Sequence, residues 1–152
     1  MRKTIVIALF CLLGIADVGM AKILIITHAY NRPDFIELQC LTFQKFLLDE
    51  YEFVVFNDAP PGFIHNWIKQ ECQSLGVCCF TIPQELHVDP LNISERHCVA
   101  IKYSLDFVGY RHDGIVAFFD SDLFLIRPLS IEDLMSDVDI VSAYRQIGRA
   151  HV

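Results

Sequence analysis

Asp120 and Asp122 are the residues whose types and spacing most directly specify chemistry. They stand either side of Ser121, at the end of the apolar run I-V-A-F-F at residues 115–119. Five apolar residues without alternation describe a strand buried on both faces of a parallel sheet. Two carboxylates beside such a strand are costly unless a cation or strong donors neutralise them. In open α/β sheets, ligands sit at the C-terminal edge of the strands. The expectation is therefore a central strand whose two aspartates face an open cleft and hold a divalent cation carrying a phosphorylated ligand. Hard carboxylate oxygens suit Mn²⁺ or Mg²⁺. Asp-Ser-Asp is also ordinary turn chemistry. The apolar L-F-L-I at residues 123–126 argues against a plain surface turn, which needs no hydrophobic residues on both sides.

The elements that must position these residues alternate in type. Residues 22–27 are a β-branched apolar run and form a first strand. A polar loop, H-A-Y-N-R-P-D, follows at residues 28–34, with Asn31 and Pro33 marking a turn. Asp34 and Glu37 have the spacing of a capping box for a helix carrying Phe35, Leu38, Leu41, Phe43, Phe46 and Leu47. A second strand, residues 51–56, ends at Asn57 and Asp58. A second helix, residues 63–75, closes at Gly76, and a third strand at residues 77–82 stops at Pro83. Residues 84–92 read as a loop. Ser94 is the expected cap of a helix over residues 95–108, with Val99, Ile101, Leu105 and Val108 as its buried stripe and Arg96 and Lys102 on polar flanks. Beyond the aspartates, Ser130 opens a short helix with a capping-box-like S-I-E-D, and residues 138–142 suggest a further strand. Strands alternating with helices imply βαβ units and a mainly parallel sheet with helices on both faces.

Composition bounds the class. The 152 residues are 53% hydrophobic and 20% charged, which describes a globular domain with a real core. The net charge of −7, without any Lys/Arg run, leaves nucleic-acid binding with no electrostatic footprint. Residues 1–21 combine a basic start, an apolar stretch and G-M-A at the end, the pattern of a secretory signal peptide. The alternative is a signal anchor that keeps the chain at a membrane. Cleavage would remove Arg2, Lys3 and Asp17 and take the charge from −7 to −8. Either way the chain is expected in the secretory or export pathway. Of the cysteines that remain, Cys40 and Cys98 are expected to pack as small core hydrophobes, and Cys72 with Cys78 or Cys79 is the pair to test for a disulfide.

In order along the chain, T-H-A-Y-N-R-P-D-F opening a helix, V-V-F-N-D-A, and F-F-D-S-D before a broken segment resemble the nucleotide-binding half of a GT-A glycosyltransferase, a nucleotide-diphospho-sugar transferase. The resemblance runs over nearly all of residues 23–146 and implies a Rossmann-like GT-A fold. It also implies roles. Asp122 would coordinate Mn²⁺ or Mg²⁺ bridging the donor diphosphate, and Asp120 would touch the ribose or the same metal. Thr27, His28, Tyr30, Asn31 and Asp58 would lie against base and ribose, and Arg96 would add positive charge. The partners implied are a nucleotide-sugar donor and an acceptor that is a glycan, lipid or protein. A catalytic base would follow the D-x-D motif, in an acceptor half beyond this stretch.

Residues 147–152, I-G-R-A-H-V, match the translation of a widely used sequencing adapter, so the fold-bearing part is expected to be residues 22–146 and the natural protein to be longer, with a genuine C-terminal tail as the alternative. Two rival readings stand beside the glycosyltransferase. One is a haloacid-dehalogenase-like phosphatase, for which Phe124 stands where a Thr or Val is expected and three βα units precede a motif expected near the start of the domain. The other is a non-catalytic exported α/β binding domain.

Overall fold

A computed structural model of the chain describes residues 23–86 and 93–139. The fold is α/β and Rossmann-like: the described residues hold four strands, all parallel, in the order β3-β2-β1-β4. These are β1 (Ile23–Ala29), β2 (Tyr51–Asn57), β3 (Cys78–Thr81) and β4 (Ile115–Phe118). The helices are α1 (Asp34–Phe46), α2 (Phe63–Leu75), α3 (Ile93–Phe107) and α4 (Ile131–Met135).

Period-two alternation along β1 and β2 divides the core in two. Ile23, Ile25, Phe53 and Val55 turn to one face, where Ile36, Cys40 and Phe43 of α1 and Ile68 and Cys72 of α2 cover them. Leu24, Ile26, Val54 and Phe56 turn to the other, against Ala100 of α3, with Tyr103 and Val108 alongside. The sheet thus carries helices on both faces. Phe43 is fully buried and meets Phe53, Phe119 and Tyr51 edge to face, at ring centroids 5.3, 5.0 and 6.2 Å away. It links α1 to the segment that follows β4.

Several sequence expectations need correction. The strand before the aspartates is not central. β1 holds the middle, and β4 is an edge strand among the described residues, half-buried along Ile115–Ala117, with Phe118 39% exposed. A continuous apolar run cannot distinguish these cases, because an edge strand flanking a buried one also packs both faces. On α1, Leu38 and Leu41 are exposed, and the inward face is Ile36, Gln39, Cys40 and Phe43. On α3 the buried positions are Ala100 and Ser104, while Val99, Ile101 and Leu105 are only half-buried. Small residues there let the helix approach the sheet closely.

The capping box at Asp34 does not form. Pro33 precedes α1 with no side-chain cap, and Arg32 engages the Asp34 carboxylate instead, Nε and Nη2 donating at 2.9 and 2.6 Å. Ser94 is the second residue of α3, so it does not precede the helix. None of the five cysteines of the described residues is in a disulfide, and Cys98 is exposed. Cys72 hydrogen-bonds Cys79, which with burial raises the Cys72 thiol above its ordinary range. Val138 and Asp139 are not in a strand; the rest of that expected strand, the signal segment, residues 87–92 and residues 147–152 lie outside the described residues.

Other local readings hold. Gly76 ends α2 in the left-handed conformation at φ 68°, which only glycine adopts freely. Ser130 caps α4 by accepting from the Asp133 amide at 3.1 Å. Asp49, just past α1, accepts from Ser130 Oγ at 2.8 Å and from the Ile131 amide at 2.6 Å. Beside it the Leu48 amide donates to Leu129 O and the Leu129 amide to Phe46 O, both at 2.9 Å. These bonds strap the chain after the aspartates to the end of α1. Hydrogen bonds to a charged group contribute about 1.5–3 kcal/mol each. Asp49→Ala is therefore expected to lower unfolding free energy by about 2 kcal/mol, read from urea denaturation. A change too small to separate from wild type would show that the strap is not needed.

Candidate functional site

The order β3-β2-β1-β4 reverses direction at β1. The chain moves outward from β1 through α1 and α2 on one face, then returns across the other face by α3 to β4. A crevice opens at the carboxyl ends of strands where crossovers diverge in this way. Here the carboxyl end of β1 continues into Tyr30 and Asn31, and that of β4 into Asp120, Ser121 and Asp122.

Thr27 is fully buried. Its hydroxyl donates to Phe119 O at 2.8 Å, and the Phe119 amide donates to Ile26 O at 3.0 Å. Its place is thus structural, fixing where the acidic segment leaves the sheet. His28 lies stacked on Phe118, at 6.0 Å between ring centroids and 10° between planes. Ser104 Oγ spends its proton on Ile101 O at 2.9 Å, so His28 Nε2 is the donor in the 3.1 Å contact with Ser104. His97 meets the His28 ring edge-on at 5.6 Å. On its other side, His97 Nε2 lies 3.6 Å from Asp120 Oδ1.

Arg96, the neighbour of His97 on α3, builds a second group. Its Nε donates to Asp58 Oδ2 at 3.0 Å and its Nη2 to Asp58 O at 2.6 Å. Its guanidinium lies over the Tyr30 ring, 4.4 Å from the centroid. The Asp58 amide donates to Ala29 O at 2.8 Å, which places Asp58 directly beside the end of β1. The Asp58 carboxylate is nearly buried, at 8% exposure, and Arg96 is 28% exposed. This is no solvated flank. Removing Arg96 would take a charged partner from a nearly buried carboxylate, which is destabilising. Lys102, by contrast, pairs with Asp106 at the exposed surface, as expected of a polar flank. Asn57 sets the floor below, its Nδ2 donating to His65 O at 2.9 Å and its Oδ1 accepting from the Ala59 amide at 3.1 Å.

The acidic segment turns on itself, with the Leu123 amide donating to Asp120 O at 3.0 Å. The Asp120 side chain is 69% exposed, and Asp122 is exposed as well. Gln39, fully buried on α1, donates from Nε2 to Asp120 O at 2.9 Å and Leu123 O at 3.3 Å. Asn31 is exposed at the tip of the neighbouring loop.

Of the sequence-expected residues, the fold thus gathers His28, Tyr30, Asp58, Arg96 and Asp120 through contacts made by adjacent α3 residues. His97, Gln39, Ser104 and Asn57 were not anticipated. Gln39 left a signal: a polar residue on the same helical face as Ile36, Cys40 and Phe43. A hollow of about 370 Å³ lined by Phe63, Asn66, Trp67 and Gln70 lies on α2 and includes none of these residues.

Among the described residues, no group of three or more His, Cys, Asp or Glu side chains converges into a metal cage. Mg²⁺-type cations are commonly held by one or two carboxylates, with waters and ligand phosphates completing the shell. Exposed oxygens on Asp120 and Asp122 fit that shared kind of site.

Burial pushes the His28 imidazole down to about 4, with the neighbouring His97 adding to the effect and Asp58 and the Ala100 carbonyl opposing it. Above the unfolded value near 6.5, His28 is neutral in both states. As pH falls through 6.5, the unfolded chain takes up a proton that the folded chain refuses. The resulting loss of stability grows until about pH 4, where it levels off at roughly 3 kcal/mol, using 1.36 kcal/mol per pH unit. His28→Gln should flatten the fall in stability between pH 6.5 and 4 seen by chemical denaturation; parallel curves for the two proteins would contradict a buried neutral His28. Geometry carries any functional reading here, because no protein-family model matches the chain and a search of curated proteins finds no match.

Proposed function

We propose that this chain is the nucleotide-binding part of a GT-A glycosyltransferase, which binds a nucleotide-diphospho-sugar with Mn²⁺ or Mg²⁺ and transfers the sugar to a glycan, lipid or protein acceptor. The observation that carries the reading is the exit of Asp120-Ser121-Asp122 from the sheet at the β1/β4 reversal, beside the Tyr30–Arg96–Asp58 group. A parallel sheet binds phosphorylated ligands at this place, and exposed carboxylates there repel a diphosphate unless a cation lies between them.

The residues divide the work by environment. Asp122 and Asp120 hold the cation, which as a Lewis acid supplies neutralisation of the leaving diphosphate. Arg96, fixed by Asp58, presents its guanidinium and the Tyr30 ring as a planar wall suited to a base or ribose. Asn31 offers an exposed amide to the same ligand. Thr27 and His28 orient the strand end from below. The base that activates the acceptor hydroxyl belongs to the acceptor side of such an enzyme, after the D-x-D segment. The signal-like residues 1–21 accord with an enzyme of the export pathway.

Isothermal titration of UDP- and GDP-sugars with and without Mn²⁺ tests the reading. One of them is expected to bind in a Mn²⁺-dependent manner, and Asp122→Asn to weaken that binding at least tenfold, about 1.4 kcal/mol. Without metal, the substitution relieves repulsion between carboxylates, so its thermal midpoint should equal or exceed that of wild type. Binding indifferent to both Mn²⁺ and Asp122 would refute the proposal.

A further inference from the structure

We infer that Gln39 is the positioning residue of the acidic segment: a buried amide on α1 that clamps the Asp120–Leu123 turn and holds its carboxylates in one arrangement. Its value to a cation site rests on the function proposed above, whereas the clamp itself does not.

Gln39 is fully buried within the α1 face that packs on the sheet, in a row otherwise made of Ile36, Cys40 and Phe43. Its Nε2 reaches two carbonyls, Asp120 O at 2.9 Å and Leu123 O at 3.3 Å, that lie at the two ends of a single turn. That turn has one backbone bond of its own, from the Leu123 amide to Asp120 O at 3.0 Å. Asp120 O therefore accepts twice, and a single side-chain amide joins both ends. The Gln39 Oε1 has no hydrogen-bond partner among the described residues. A buried amide half-satisfied in this way is a poor choice for stability alone, because a methionine or leucine of similar size would pack there with no orphan acceptor. What those residues lack is a pair of donors, and the donors go to the turn.

The clamp has a counterpart. After the turn, the chain is fastened to the end of α1 through Leu48, Leu129 and Asp49. Asp120 to Ile131 is thus templated on α1 from both ends, and in the part that bears the carboxylates Gln39 grips the backbone while His97 approaches the Asp120 side chain at 3.6 Å. The Asp120 and Asp122 side chains are exposed, with His97 approaching Asp120 at 3.6 Å, so their separation depends largely on the backbone of the turn. Fixing that backbone in advance removes ordering entropy that a cation would otherwise have to overcome.

The test uses the full chain, labelled with ¹⁵N, and Gln39→Met, which keeps length and volume but removes both donors. Backbone order parameters in wild type should be near 0.85 across Asp120–Leu123, as in β1, and in the variant should fall below about 0.6 in the turn alone. Mn²⁺ affinity, followed by electron paramagnetic resonance with Asp122→Asn as the control, should weaken about fivefold or more, or about 1 kcal/mol. An unchanged turn, or a loss of order spread equally over β1, would overturn the clamp. A loosened turn with unaltered Mn²⁺ affinity would overturn its role in the site. Failure of wild type to bind Mn²⁺ would fall on the metal reading instead, and the order parameters would still decide the clamp. Should Gln39→Met not fold, Gln39→Leu gives the same comparison.

Discussion

The pairing of β1 with two parallel neighbours is the interaction on which the rest depends. Seven residues of β1 pair with β2 and four with β4. Parallel neighbours require crossovers, and here they run over opposite faces of the sheet. That arrangement buries both faces of β1, which is why Ile23 to Ile26 are almost wholly inaccessible. It also makes the chain diverge at the carboxyl end of β1, where polar residues that follow β1, β2 and β4 come together. The bond from Thr27 to Phe119 is the last step of this pairing, and the acidic segment begins at the next residue.

Aspartates at that edge fall into two environments. Asp58 is nearly buried and bound by Arg96 through both its carboxylate and its carbonyl, so it orients the guanidinium against Tyr30. Asp120 and Asp122 are exposed, and a loose contact with His97 leaves Asp120 available to a cation. Burial with a fixed partner gives a scaffold; exposure at the sheet edge gives, on the reading proposed above, a binding group. The same logic applies to the histidines, since His28 is enclosed and kept neutral by burial while His97 remains half in solvent.

Much of this was legible in the sequence because the relevant signals are local. Alternating strands and helices, the Gly76 stop and the Ser130 cap depend on neighbours within a few residues. So did the siting of Asp58 and Asp120 at strand ends. What escaped notice depends on contacts between distant segments. β4 lies at the sheet edge because of strand order, which a run of apolar residues does not encode. Asp34 was drawn from its capping role by Arg32, two residues earlier, a competition between equally local partners. Which face of α3 packs inward followed from the close approach allowed by Ala100 and Ser104, not from its largest apolar residues. Gln39 and His97 belong to the site through contacts that span 81 and 23 positions along the chain.

The central claim is that the β1/β4 reversal holds a cation at Asp120 and Asp122. Paramagnetic broadening of amide resonances by substoichiometric Mn²⁺ addresses it most directly, because the effect falls steeply with distance from the ion. The account predicts selective loss of signals from Asp120 to Leu123, then from Tyr30, Asn31 and His97, with Gly76 and Val77 at the far edge of the sheet unaffected. Broadening centred elsewhere, or spread evenly over exposed carboxylates such as Glu52, Asp106 and Asp133, would contradict it.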